Sequence, residues 1–279
     1  MKTSQKILMN QNKETIFYDV ETYTSVQTLE ETRENTVEST ISKRFIEKNK
    51  FGNLYVVNFL QRNQSYNEGI SKVEDYLMRF QKKLLIYTND IGSIISIPNI
   101  REIRELWDDS KIEFRKRFKN IHGLQNIIER IDYLFISEKG FLQVFAQSEI
   151  GTLLFPGIYS DKLQEDKALI QHKFFQNFLG PYPLPILLET KIIDSSDNKN
   201  KIARTGSIQW QFFEEDKIKS FFREILKDYP YINEFDAFYS ELYDLDSEYC
   251  MTNALQLLYV KVGNVYSVDS KTTIAIQKK

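Results

Sequence analysis

The stretch Tyr87–Phe118, YTNDIGSIISIPNIREIRELWDDSKIEFRKRF, changes its hydrophobic period partway along. Up to Ile97 the apolar residues fall on alternate positions, which is the period of a half-buried strand. From Ile100 they recur at the spacing of an amphipathic helix. The stretch therefore predicts a strand, a turn and a helix in succession, and the sheet that contains this strand decides the fold.

The turn at the centre of this stretch is predicted to be structural. Pro98 is unsuited to a central ladder position, and Asn99 is a favourable N-cap residue with Glu102 at the third helical position. A glycine-rich phosphate loop needs several glycines, whereas Gly92 stands alone. We therefore interpret the stretch as a corner in the fold, and we expect the helix that follows it to bury Trp107.

Long alternating segments before and after the corner set the fold class. The first 64 residues are typical of long antiparallel strands, and residues 235–277 predict a three-strand meander. Helical spacing also occurs near residues 71, 124 and 214, while residues 140–180 fit short helices and turns equally well. The pattern predicts an α+β fold: a curved, mainly antiparallel sheet, or partial barrel, of about eight to ten strands with three or four inserted amphipathic helices.

The domain organisation is predicted from the absence of a linker. No Ser- or Gly-rich segment interrupts the chain, which favours a single domain over residues 1–279. A loose repetition of long strands followed by a helix leaves an alternative of two similar halves, residues 14–160 and 182–279.

Charge and composition exclude several classes of function. The 37 basic and 39 acidic residues leave a net charge of -2, so we predict no nucleic-acid partner. Cys250 is the only cysteine and the chain has two histidines, which leaves no Cys or multi-His cluster for a metal. Because no nucleotide-binding loop occurs either, we predict no cofactor.

The N-terminus and the hydropathy predict the compartment. The chain begins MKTSQKILMNQNKETIF, in which only ILM is an apolar core, whereas a secretory signal has an apolar run of about 7 to 15 residues. No segment approaches the roughly 20 apolar residues of a transmembrane helix. We therefore expect no membrane span and a cytoplasmic location.

A short acidic segment is the alternative to this metal-free prediction. In DLDSE, the alternate residues Asp244, Asp246 and Glu248 could direct oxygens at one cation, as the start of a calcium loop does. The segment lacks the central glycine and the distal glutamate of that loop. We therefore favour solvated acids on a strand or turn.

Aromatic residues are the feature that stands out most. The chain has 16 Tyr and 20 Phe, and tyrosine brings a large contact area at modest entropic cost. We identify five tyrosines of the C-terminal meander as candidate binding residues: Tyr239, Tyr243, Tyr249, Tyr259 and Tyr266. No catalytic motif occurs and no catalytic residue is predicted, which favours a non-enzymatic interaction or accessory protein that binds a protein partner through its sheet.

Two other functions stay open. A curved sheet lined by Tyr and Phe could bind a hydrophobic small molecule or a lipid. The 39 acidic residues also allow a hydrolase that uses carboxylates.

Two stretches of the chain carry a resemblance to known proteins. The corner IGSIISIPNIREIRELW and the terminal strand YSVDSKTTIAIQKK, together with the long N-terminal strands, resemble uncharacterised proteins of Bacteroidetes-type bacteria. The layout is similar to the curved half-barrel sheets of periplasmic lipoprotein carriers. The resemblance implies a bacterial protein with a curved sheet, and it assigns no functional residue.

Overall fold

The computed structural model describes residues 9, 11–136, 138–159, 163, 168–179, 182–196, 199–225, 234–246 and 250–277. The strands in this part of the chain are β1 Thr15–Thr28, β2 Thr32–Asn49, β3 Gly52–Gln64, β4 Lys83–Thr88, β5 Ile94–Ser96, β6 Leu169–Leu179, β7 Tyr182–Ser196, β8 Lys199–Ile208, β9 Phe235–Leu245, β10 Met251–Val262 and β11 Tyr266–Ile276. The α-helices are α1 Ile70–Met78, α2 Ile100–Arg117, α3 Leu124–Ile136, α4 Glu138–Gln147, α5 Glu149–Leu154 and α6 Glu215–Ile225, and Arg79–Gln81 and Trp210–Phe212 form 3-10 turns.

The strands form one sheet in the order β5-β4-β3-β2-β1-β11-β10-β9-β8-β7-β6. Every pair whose register is described is antiparallel. This confirms the predicted antiparallel sheet and the three-strand meander β9-β10-β11. The predicted curvature stays a prediction.

The counts of strands and helices were predicted too low. The described residues contain eleven strands and six α-helices, where about eight to ten strands and three or four helices were expected. The extra helices are α4 and α5, of 10 and 6 residues, which lie largely in the segment whose pattern fits short helices and turns equally well. The strand that was missed is β6, at the end of the same ambiguous segment.

The chain forms two compact units. The C-terminal unit contains Glu21–Thr36 and the described part of Ile158–Ala275, and the N-terminal unit contains Gln11–Val20 and the described part of Val37–Gly157. The single-domain organisation of residues 1–279 stays a prediction.

The core of the C-terminal unit lies on one face of strands β7 to β10. Leu184, Ile186 and Leu188 of β7 are buried there together with Tyr239, Val260 and Val262. Ile218 of α6 packs into the same cluster. The alternate positions of these strands therefore supply the buried face, as the alternation of side chains along a strand requires.

The core of the N-terminal unit is aromatic. Tyr76, Phe80, Trp107, Phe114 and Phe118 contact one another with ring centroids 4.8–6.0 Å apart. Trp107 is fully buried, as predicted, and its indole Nε1 donates a 2.7 Å hydrogen bond to Asp132. The polar end of the ring is thus satisfied at the edge of the core.

The corner at Asn99 has the predicted position but a different role. Asn99 is the N-cap residue of α2, yet its side chain makes no capping hydrogen bond. Instead its amide accepts a 2.9 Å hydrogen bond from the Leu85 N–H and donates one of 2.9 Å to the Lys83 carbonyl. The capping prediction was therefore wrong in mechanism, because the buried side chain satisfies the backbone of strand β4.

Candidate functional site

A row of buried polar side chains crosses five strands of the C-terminal unit. The register places Thr190 opposite Arg204, Arg204 opposite Glu241, Glu241 opposite Gln256, and Gln256 opposite Thr272. All five side chains are buried. Polar residues at inward positions of neighbouring strands thus form one continuous line across the sheet.

Glu241 is the centre of this row. Its carboxylate accepts a 2.8 Å hydrogen bond from Nη1 of Arg204, one of 2.6 Å from the Tyr243 hydroxyl, and one from the Tyr239 hydroxyl. Arg204 and Glu241 are 3% and 2% exposed, so the ion pair is desolvated. Gln256 extends the network by donating to the Tyr239 hydroxyl over 2.9 Å.

The protonation states in the row follow from these contacts. Burial alone would raise the pKa of Glu241, but the charges of Arg204 and Lys173 and the two tyrosine hydroxyls hold that pKa below its ordinary value. Burial and the adjacent carboxylate raise the pKa values of Tyr239 and Tyr243 well above 10.0. Near neutral pH the row therefore contains an ionised glutamate and a charged arginine, and the two tyrosines beside it are neutral.

The row satisfies its own hydrogen-bonding groups. Within the described part of the chain, three buried side-chain atoms have no hydrogen-bond partner: Oη of Tyr76, Nε2 of Gln209 and Oδ1 of Asp244. None belongs to the row. A fully paired buried network fixes strand register and side-chain positions, so we assign this row a role in holding the sheet together.

The five predicted tyrosines do not share one surface. Tyr239 and Tyr243 are buried beside Glu241. Tyr259 lies on the opposite face of β10 from Gln256, across from Phe238, and Tyr266 packs partly buried against the core cluster. Tyr249 lies outside the described residues. Binding through these tyrosines stays a prediction, and the buried pair contributes no exposed surface in this structure.

The two described residues of the acidic alternative lie on a strand and in a turn. Asp244 lies on the face of β9 opposite to Glu241, and its Oδ1 is 4.0 Å from Nζ of Lys201. Asp246 accepts a 2.9 Å hydrogen bond from the Cys250 N–H in the turn before β10. Glu248 lies outside the described residues. Where the structure is described, no group of three potential ligands could hold a metal ion, and the absence of a cofactor stays a prediction.

A different site is formed by strand β6, which is one end of the sheet order. Seven consecutive residues, 169–175, pair in register with β7. The direction of the backbone groups in β7 follows from Pro185. Its carbonyl accepts a 3.0 Å hydrogen bond from the Gln209 N–H and therefore points toward β8. Because antiparallel residues alternate between the two sides, the even-numbered residues of β7 point their backbone groups toward β6.

The same alternation identifies the open backbone groups of β6. Lys173 pairs with Ile186, so the N–H and C=O of Lys173 point to β7, and those of its two neighbours point away. Ile170 and His172 therefore present their backbone N–H and C=O groups at the side of β6 that faces away from β7. No strand pairs with that side among the described residues.

Exposed apolar side chains accompany this open edge. We define the β6 edge patch as Ile170, His172, Phe174, Trp210 and Phe212. Its four large apolar side chains are 39–54% exposed. Phe174 and Phe212 contact each other with centroids 6.4 Å apart, and Nδ1 of His172 lies 3.0 Å from Oε1 of Gln209. The hydrogen bond and the ring contact hold the turn Trp210–Phe212 beside the edge strand.

The buried polar row and the β6 edge patch differ in how far the sequence indicates them. In YSELY, Glu241 occupies the same alternating position as Tyr239 and Tyr243, so a buried charge on this strand was detectable. The β6 edge patch was not, because it joins a strand in the ambiguous segment to a turn located after β8.

Comparisons with known proteins do not assign the chain to a family. No helix of the described residues is long and apolar enough to cross a membrane. No protein-family model matches the chain, and no curated protein matches it. A solved structure of a DUF1329 family protein from Desulfovibrio piger is similar at 9% identity and a TM-score of 0.21, covering 97% of this chain and 85% of that one. A score this low indicates neither a shared fold nor a shared function.

Proposed function

We propose that this chain is a non-enzymatic interaction protein that binds an extended segment of a protein partner along strand β6. The observation that supports this is the open backbone of Ile170 and His172 beside exposed aromatic side chains. Strand addition uses main-chain hydrogen bonds for affinity and alternate side chains for specificity. The β6 edge patch offers both within one surface.

The two end strands of the sheet differ in a way that favours this proposal. Strand β5 has three residues, and short edge strands are a common protection against unwanted pairing. Strand β6 offers seven in-register residues, a length of roughly 23 Å at about 3.3 Å per residue. A long edge with exposed Ile170 and Phe174 lacks the same protection, so a bound partner strand is the function that fits it.

The chemistry of the partner follows from the two faces of β6. On the outer face, alternate residues of the added strand would lie beside Ile170 and Phe174, where an apolar residue can also reach Trp210 and Phe212. On the other face they would lie beside Gln171 and Lys173, which favours polar residues. We therefore expect a segment that alternates apolar and polar residues.

The alternative of a hydrophobic small molecule finds less support on the described sheet face. The inner face of β7 to β10 is filled by the chain's own core, including Ile218 of α6, and by the paired polar row. A ligand there would have to displace buried side chains.

The proposal is tested with a matched pair of variants at His172. Both His172→Ala and His172→Pro lose the imidazole and its contact with Gln209, but only proline removes the outward N–H. An N–H that points away from β7 can be lost without breaking the β6–β7 ladder. Short random peptides displayed on phage are selected on the wild-type chain, and the affinity of the enriched peptides is then measured for both variants.

We expect the selected peptides to alternate apolar and polar residues, to bind His172→Ala nearly as well as wild type, and to bind His172→Pro at least about tenfold more weakly. Equal binding to both variants, or no enrichment of peptides, would overturn the proposal. A concentration-dependent dimer that His172→Pro abolishes would show that the edge binds a second copy of the chain instead.

A further inference from the structure

A pocket of about 490 Å³ lies in the N-terminal unit, where α1 begins and α2 ends. It is in the usual size range of small-molecule sites. Its lining combines two cations, two amides and two apolar side chains: Lys72, Arg117, Asn67, Asn120, Phe118 and Ile121. This pocket has no part in the proposed binding of a partner strand at β6.

The pocket has a local excess of positive charge. The carboxylate in its lining, Asp75, is already paired with Arg62 at 3.0 Å. Among the described residues, neither Lys72 nor Arg117 forms an ion pair with a carboxylate. The lining therefore has two positive charges and one carboxylate, and that carboxylate is paired with Arg62, outside the lining.

The guanidinium of Arg117 lies near two aromatic rings. Its Cζ is 5.4 Å from the ring centroid of Tyr76 and 5.8 Å from that of Phe118, within the range of cation–π attraction. A guanidinium can donate two parallel hydrogen bonds to an oxyanion, the geometry that carboxylates and phosphates accept best.

We propose that this pocket binds a small organic phosphate, with the phosphate between Lys72 and Arg117 and an apolar group against Phe118 and Ile121. A phosphate monoester carries a charge of about -1.5 to -2 near neutral pH, which matches the two unpaired cations better than a single carboxylate does. The side-chain amides of Asn67 and Asn120 supply hydrogen bonds for polar groups of the same ligand.

The test uses three probes that share parts of this chemistry. Phenyl phosphate has the charge and the apolar group, inorganic phosphate has the charge alone, and benzoate has the ring with a single negative charge. Binding of each to the full chain is measured by isothermal titration calorimetry at neutral pH and low salt. We expect phenyl phosphate to bind at least about tenfold more tightly than either of the other two.

Variants of the lining residues assign the binding to the pocket. Lys72→Gln and Arg117→Gln should each weaken phenyl phosphate binding at least about tenfold. Lys116→Gln removes the same charge from the residue next to Arg117 but outside the lining, and it should leave binding within about twofold of wild type. Thermal melting verifies that all three variants fold.

Three results would overturn the inference. Absence of phenyl phosphate binding would do so directly. Equal loss in Lys116→Gln would show that the effect is general electrostatics and not a site. Equal affinity for phenyl phosphate and inorganic phosphate would show that Phe118 and Ile121 contact no ligand, so that the pocket binds an ion and not an organic phosphate.

Discussion

Replacing Glu241 with glutamine removes one charge of the buried pair while keeping the shape of the side chain. With 2.8 Å between Arg204 Nη1 and Glu241 Oε2, the gross attraction is about 6 kcal/mol at an effective dielectric constant of about 20. Much of that is offset by the desolvation of both groups. Breaking a buried pair by removing one partner costs about 3–5 kcal/mol, because the other charge stays buried and unpaired. We expect Glu241→Gln to lower the free energy of unfolding by that amount.

Urea denaturation followed by fluorescence and circular dichroism measures this loss, and Glu189→Gln is the matched control. Glu189 also pairs with a cation on the same sheet, Lys191 at 2.6 Å, but these side chains are 40% and 54% exposed. Exposed ion pairs of this kind contribute less than about 1 kcal/mol to the free energy of unfolding. The reasoning is refuted if Glu241→Gln costs no more than Glu189→Gln. In the double variant Arg204→Met/Glu241→Met both charges are gone, so its cost should be smaller than the sum of the two single substitutions.

Three other predictions concern stability. Asn99→Asp should lower the free energy of unfolding by about 1–3 kcal/mol, because a carboxylate cannot donate a hydrogen bond to the Lys83 carbonyl. Aspartate is as good an N-cap residue as asparagine. An unchanged midpoint of urea denaturation would therefore contradict the hydrogen bonds between Asn99 and β4. Tyr76→Phe should raise the thermal midpoint, because the buried hydroxyl makes no hydrogen bond of good geometry, although the Glu113 carboxylate is close to it; a lowered midpoint would show that the hydroxyl is bonded to Glu113. The stabilisation from Glu241 is fully present above its ordinary pKa of 4.5 and is lost as the pH falls through its lower folded pKa, so the stability difference between wild type and Glu241→Gln should shrink in acid. A difference that is constant down to strongly acidic pH would contradict the lowered pKa of Glu241.

Local patterns in the sequence were sufficient for much of the fold. The change of period at Ile97 and Ile100 predicted the strand, the corner and the helix, and the alternation in the first 64 residues predicted the long strands β1 to β3. Strands β2 and β3 meet at a tight turn, where Asn49 pairs with Gly52. Gly52 has a φ of 123°, a conformation that favours glycine. Short-range signals of this kind need no knowledge of distant contacts.

The buried row could not be predicted, because its members are brought together by register between distant strands. Arg204 and Glu241 are 37 positions apart in the sequence, and helix α6 is inserted in the chain between their two strands. Only the pairing of β8 with β9 places them opposite each other. A one-residue change in that register would turn one of the two side chains to the other face, and the sequence pattern alone does not distinguish the two registers.

The side-chain partner of Asn99 could not be predicted either, although it is close in the sequence. Its position before the helix was correct, but the partner of its side chain was not, because a capping pattern and a bridge to a neighbouring strand require the same residue type. The β6 edge patch was missed for another reason. Its turn, Trp210–Phe212, and its strand are separated in sequence by the whole of β7 and β8.

Amide hydrogen exchange, measured residue by residue by NMR, tests the open edge of β6 most directly. In the free chain, the amides of Ile170 and His172 should exchange quickly while those of Gln171 and Lys173 exchange slowly. A peptide selected on the wild-type chain should then protect the two fast amides and leave the slow ones unchanged. Slow exchange of all four amides in the free chain, or peptide binding that leaves the two fast amides unprotected, would contradict strand addition at β6.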